Sequence, residues 1–416
     1  MAYEARTRSV LKACSLTCRA WASVSRRHLF RVWNVTFSTE SRKHSTLEQI
    51  LAFLQNYSVI AGSVMRLRIK MVRWESSLLN IRRQSVQKLD CPEEDLLPVL
   101  QAMPRLEDLE LHDVVLSAKA EGMIDPVWTP IHLASLDLIY DRRGEPGDIP
   151  TSEVLRRILP LFGEVETLRV CDYMGRETLD TLDLPVIPSQ TLRIKRFLQR
   201  NINGTTRATI LEGLITSPMS QMLTQLILGD MRLSDLRLFQ SLLETCAHTL
   251  TSLHFGLTEL MYDNPRVDEI PAVLNLSCCQ NLQNLGFSCT VDDVLFEATI
   301  LTIAAFLMPI RPRPQQNFSG LTLRRLVLDI WATFAAPMEE FRDSLFVEAL
   351  DVSIDSFTTL QEVALLFTTN LAVRDVLDDA AIAVLQQAFP RVYARGILKI
   401  TDVTVSESID FLRRWL

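Results

Sequence analysis

Glycine is scarce in this chain, with 13 in 416 residues, and none falls in a Gly-x-Gly-x-x-Gly, Gly-x-x-x-x-Gly-Lys or Gly-x-Ser-x-Gly pattern. Without a glycine-rich turn the backbone lacks the usual phosphate cradle and nucleophile elbow, which disfavours a doubly wound nucleotide enzyme or an α/β-hydrolase. Histidine is equally sparse. The six, His28, His44, His112, His132, His248 and His254, stand apart from any spacing that would mark an acid–His or Cys–His site. No catalytic residue, cofactor site or metal site is therefore expected. Positive charge is also short: the net charge is −7, so a dedicated nucleic-acid binder is not expected, because phosphate neutralisation needs a surplus of Lys and Arg.

Long apolar runs are missing too. The most apolar segment, 294–310, holds Glu297 and ends beside Pro309, too short and too polar for a membrane span of about 20 residues. The first 30 residues are polar and Arg-rich, with no stretch resembling a secretory leader. The expected setting is cytoplasmic or nuclear. The eight cysteines are spread along the chain, and in that setting they read as reduced thiols packed in a core.

What the chain does have is a recurring Leu-x-x-Leu-x-Leu register. It starts at Val64, Leu106, Leu133, Val165, Leu223, Leu250, Leu282, Leu323 and Leu360, with weaker copies at Leu192-x-Ile194 and Leu398-x-Ile400. One such hexapeptide means little in a Leu-rich chain; a series of them implies a repeated unit. The nine starts are 42, 27, 32, 58, 27, 32, 41 and 37 residues apart, which makes an irregular leucine-rich repeat. The alternation in each copy reads as a strand with one buried face.

Between the strands, helical periodicity runs over 47–56, 93–103, 152–162, 208–215, 236–246, 292–307, 339–347, 376–389 and 407–416. The expected fold is α/β: a solenoid of parallel strands on a concave face and helices on a convex face, spanning 38–416. A doubly wound sheet and an all-helical repeat are the competing folds. On the concave face the residues between the buried leucines point outward. Candidates for binding a protein partner there are Arg66, Arg68, Asp108, Glu110, Asp137, Arg169, Arg193 and Lys195, followed by the less charged Ile227, His254, Val327, Ala364 and Leu366.

Residues 1–37 form a separate segment. In Leu11-Lys-Ala-Cys-Ser-Leu-Thr-Cys-Arg-Ala-Trp21 and Arg26-Arg-His-Leu-Phe-Arg31, apolar residues recur at spacings that suit two short helices sharing a face. This stretch resembles the second half of a fungal-type F-box, whose members commonly carry a Leu-Lys-x-Cys-Ser-Leu-x-Cys-x-x-Trp run and an Arg-x-His-Leu-Phe-Arg element. The Leu-Pro-x-Glu helix that opens the family's motif has no counterpart here, and a partial F-box is expected.

The resemblance implies a substrate-recognition subunit of a cullin-type ubiquitin ligase. A Skp-type adaptor would dock on Leu11, Cys14, Leu16, Cys18 and Trp21, an unidentified target protein would bind the repeats, and Leu29 and Phe30 would fasten the module to them. A repeat scaffold without ligase function is the alternative from another class, and an enzyme assembled from distant residues is a third.

Overall fold

The computed structural model describes residues 24–25, 27–38, 47–72, 89–117, 130–140, 155, 158–172, 192–200, 204–262, 270, 273–291, 296–310, 322–332, 345–369 and 377–404. The chain divides into two compact units, Met1–Ile194 and Lys195–Leu416.

The first unit contains β1 (Val32–Ser38), α1 (Leu47–Asn56), α2 (Ser58–Ala61), β2 (Arg66–Val72), β3 (Leu89–Pro92), α3 (Glu93–Gln101), β4 (Asp108–His112), β5 (Val114–Ser117), β6 (Ile131–Tyr140) and β7 (Phe162–Asp172). Strands β1, β2, β4, β6 and β7 lie side by side in that order, all parallel, while β3 and β5 form a separate parallel pair.

The boundary falls within β8 (Arg193–Arg200), and the second unit goes on through α4 (Gly204–Thr216), β9 (Gln225–Asp230), α5 (Leu236–Cys246), β10 (Ser252–Gly256), α6 (Thr258–Tyr262) and β11 (Asn284–Val291). It continues through α7 (Phe296–Ile310), β12 (Arg325–Ala332), α8 (Leu345–Asp355), β13 (Glu362–Thr369), α9 (Asp379–Ala388), α10 (Pro390–Ala394) and β14 (Leu398–Thr404). Strands β8 to β14 are again parallel and in chain order. A doubly wound sheet requires a point where the strand order reverses, and neither unit has one.

The final Leu-x-Leu part of each strong copy of the register lies on a strand, as do Ile194 and Leu398-x-Ile400 of the weak ones. Parallel pairing in register stacks equivalent positions: Leu67, Leu109, Leu136 and Leu168 form one row and Ile69, Leu111, Leu138 and Val170 the next. In the second unit the rows are Leu226, Leu253, Leu285, Leu326 and Val363, then Leu228, Phe255, Phe287, Leu328 and Leu365. All are at most 1% exposed. Each such side chain contributes about 1.5–3 kcal/mol on leaving water.

The helices cover this face. In α5 the buried residues Leu236, Phe239, Leu242, Leu243 and Cys246 form one stripe. Phe239 meets Phe255 of β10 edge-on at 5.3 Å between ring centroids, and Phe255 in turn meets Phe287 of β11 at 5.1 Å and Phe306 of α7 at 5.6 Å. Helix, strand and neighbouring strand thus share one aromatic core.

Helices α1 and α5 match their expected bounds, and α3, α4, α7 and α9 shift by a few residues. The helix expected over 339–347 is displaced, since α8 runs Leu345–Asp355. Its buried stripe is Val347, Leu350, Asp351 and Ile354, so a carboxylate occupies a core position and disguises the period. Asp351 accepts the backbone N–H groups of Arg391 and Val392 at 3.2 Å each, which supplies the hydrogen bonds its burial demands.

The stretch 152–162 ends in a 3₁₀ turn, Leu159–Leu161, and Phe162 already begins β7. Strands β1, β3 and β5 lie outside the expected register, and the boundary expected at residue 37 falls within β1, which pairs with β2 from Val32↔Arg66 to Ser38↔Val72. The expected helix at 407–416 lies outside the described residues. No helix among the described residues is long and apolar enough to cross a membrane.

Candidate functional site

On the face opposite the leucine rows, the first unit stacks polar residues in register. One row reads Val32, Arg66, Asp108, Ser135 and Thr167; the next reads Asn34, Arg68, Glu110, Asp137 and Arg169. Adjacent strands lie about 4.8 Å apart, so side chains at matched positions meet. Arg66 reaches Asp108 at 2.7 Å, Arg68 pairs with Glu110, and Arg169 reaches Asp137 at 2.9 Å. Ser135 Oγ donates to Asp137 at 3.0 Å, and the His112 ring pairs with Glu110. His112 and Arg68 together hold the Glu110 carboxyl below the usual carboxylate range, the His112 hydrogen bond being the larger influence.

Six of the candidate binding residues are thereby brought together as a ladder of pairs. Arg66 and Arg68 remain exposed, and the other four are half-buried. Such a face carries charge of both signs in fixed positions and little net charge. It suits a protein surface with complementary alternation, since charge patterns of this kind govern specificity and register more than raw affinity. Arg193 and Lys195 are exposed on β8, whose described pairing is with β9. The adaptor-contact candidates Leu11, Cys14, Leu16, Cys18 and Trp21 lie outside the described residues; Leu29 and Phe30 are half-buried.

The second unit corrects part of the expectation. Ile227, His254, Val327, Ala364 and Leu366 occupy the corresponding face, yet all are at most 2% exposed. Val327, Ala364, Leu366 and Val403 form an apolar cluster there. Strands with both faces buried read as continuous apolar runs, and Leu326 to Leu328 or Val363 to Phe367 do so.

Several polar groups on this face pair with one another, while His254 Nδ1 is buried without a hydrogen-bond partner among the described residues. Asp329 accepts from Thr368 Oγ1 at 2.6 Å, Trp331 Nε1 at 3.1 Å and Ser288 Oγ at 3.3 Å. With the Ser288 proton committed to Asp329, His254 Nε2–H donates to Ser288 Oγ at 3.2 Å. Burial pushes the His254 imidazole down to about 3, so it is neutral at pH 7. Although Ser, His and Asp are adjacent, the acid holds the serine rather than the histidine. A base oriented by its acid is what a serine nucleophile requires, and this order does not provide it.

No protein-family model and no curated protein sequence matches this chain. The site is therefore defined by its own geometry.

Sequence reading missed groups that only folding brings together. Arg207 on α4 and Asp235 ahead of α5 form a buried ion pair at 2.8 Å, and Glu259 on α6 lies 2.8 Å from Arg232. A separation of 28 residues along the chain leaves no local signal for the first pair. Among the described residues, no group of three His, Cys, Asp or Glu is placed to hold a metal ion. Cys278 is half-exposed beside Cys279, with the sulfurs 3.7 Å apart; the Cys279 thiol favours the Cys278 thiolate, whereas burial pushes Cys246 up to about 12. Cys14, Cys18 and the Cys91 side chain lie outside the described residues.

Proposed function

We propose that this chain is a non-catalytic, irregular leucine-rich repeat protein that serves as the substrate-recognition, F-box-type subunit of a cullin-type ubiquitin ligase. The observation that carries the reading is the in-register polar face of the first unit, where Arg66, Arg68, Asp108, Glu110, Asp137 and Arg169 are held as pairs over a buried leucine floor. A rigid floor with varied polar residues above it is a binding surface, and repeat proteins with parallel strands use such surfaces for protein partners. The F-box-like residues 11–31 supply the link to a Skp-type adaptor, with Trp21 as the central apolar contact.

The test is pull-down of a Skp-type adaptor by the full chain and by Trp21→Ala. The parent is expected to retain the adaptor and the variant to lose it. Equal retention would sink the docking assignment, and no retention by either would favour a scaffold without ligase function. Target capture is expected to weaken in Asp137→Lys with Arg169→Glu, a swap that keeps the pair but reverses its pattern.

A further inference from the structure

A cavity of about 500 Å³ opens in the first unit where the Arg27–Arg31 segment meets the start of β2 and the approach to β4. Its wall carries Arg27, His28, Arg31 and Arg105, with Val59 and Met65 as an apolar side, and no carboxylate among the described residues lines it. The contrast with the neighbouring sheet face is informative. There each arginine is matched by an acid on the next strand, whereas Arg27, Arg31 and Arg105 have no ion-pair partner among the described residues.

The guanidinium groups come from two parts of the chain, Arg27 and Arg31 from one and Arg105 from the other, and backbone hydrogen bonds bring these parts together. The Arg31 carbonyl accepts both Met65 N–H and Arg66 N–H at 3.0 Å, which ties the end of the Arg-rich run to the start of β2. The Met65 carbonyl accepts Glu107 N–H at 2.8 Å and Asp108 N–H at 3.0 Å, which brings the segment carrying Arg105 alongside. Beneath them Gly62 N–H donates to Ser58 O and Ser63 Oγ donates to Val59 O, closing the turn that forms the floor. Like charges gathered in one concavity repel and weaken the fold unless an anion enters. Guanidinium forks match the oxygens of a phosphate in paired hydrogen bonds, better than they match any neutral ligand.

We propose that this cavity is a binding site for a phosphate monoester. The phosphate would sit among Arg27, Arg31 and Arg105, and the organic part would lie against Val59 and Met65. A phosphate carries close to two negative charges at neutral pH, so it offsets most of the charge the three arginines bring. The volume falls in the range of small-molecule sites and exceeds what inorganic phosphate alone would fill. The site stands whether or not residues 11–21 dock an adaptor.

Two sources of the same chemistry are separable with the full-length chain. Binding is measured by titration calorimetry with phenyl phosphate, with a phosphoserine peptide and with the unphosphorylated peptide, against the parent, Arg31→Gln, Arg105→Gln and Arg237→Gln. Arg31 and Arg105 are exposed, so their substitution leaves the fold intact, which circular dichroism verifies; Arg237, exposed on α5, is the control.

Phenyl phosphate is expected to bind the parent, and Arg31→Gln and Arg105→Gln each to weaken it by about ten-fold, the usual loss for one charge-assisted hydrogen bond. Arg237→Gln is expected to bind like the parent, and affinity to fall with added salt. A phosphopeptide that binds more tightly than phenyl phosphate identifies a modified protein as the source, and the reverse order identifies a small metabolite. Failure of both phosphorylated probes to bind, or equal binding by the parent and the two cavity variants, overturns the proposal.

Discussion

The two units use one strand pattern and finish it in opposite ways. In the first, the face away from the helices carries Arg66, Arg68, Asp108, Glu110, Asp137 and Arg169 as partly exposed pairs. In the second, that face holds Ile227, Val327, Ala364 and Leu366 at 2% exposure or less, and the buried Thr368 donates to the buried Asp329. A buried face contributes stability by removing apolar area from water. An exposed ladder of ion pairs contributes little stability and leaves hydrogen-bonding capacity for a partner. On the proposed reading, recognition would fall to the first unit, while the second buries both faces of its strands.

The largest expected effect comes from the aromatic core. Phe287→Ala removes a side chain with no exposed surface that packs on Phe255 and Phe306, and should lower stability by about 3–5 kcal/mol in urea denaturation. A loss below about 1 kcal/mol would mean that the second unit is not held together by this cluster.

An intermediate effect is expected from pH. His254 titrates at about 3 in the fold and near 6.5 when unfolded, so the unfolded chain binds the extra proton first as pH falls. Stability should therefore be lost between about pH 6.5 and pH 3, by on the order of 1 kcal/mol per pH unit. His254→Gln should flatten this slope. Glu110, held low, acts in the same sense at more acid pH, whereas Asp230 and Asp351, pushed up by burial, act in the opposite sense. An unchanged pH profile in His254→Gln would show that the buried imidazole is not the sensor.

The smallest effect belongs to the ladder. Arg169→Ala should cost less than about 1 kcal/mol of stability, because its pair with Asp137 is only partly buried. A loss of several kcal/mol would erase the contrast between the units and make the charged face structural.

The sequence showed these regions unequally. Alternation of leucines marks a strand wherever one face is buried, which is why the final Leu-x-Leu part of each strong register copy coincides with one. It says nothing of the other face. Ile227 and Val327 occupy alternate positions that would be polar on an open sheet, and their apolar character was the available sign that this side is closed. The six ladder residues were legible because periodicity assigns them to one face. Their pairing was not, because it depends on strands 27 to 42 residues apart lying in register. The same holds for Arg207 with Asp235, and for the cavity formed by Arg27, Arg31 and Arg105.

One feature of the second unit reaches beyond packing. A Cβ added to Gly286 would lie 2.3 Å from His254 Cδ2, and one added to Gly256 would lie 2.4 Å from Asp230 Oδ1. A bulky polar side chain on each of two strands therefore rests on a glycine of the strand that follows. Alternating leucines forbid a slip of one residue, which would turn the core outward, but they tolerate a slip of two. The paired glycines do not: after such a shift Asn284 or Ser288 would stand beneath the imidazole in place of Gly286. They act as keyed joints along β9, β10 and β11, and let repeats of unequal length find a single alignment.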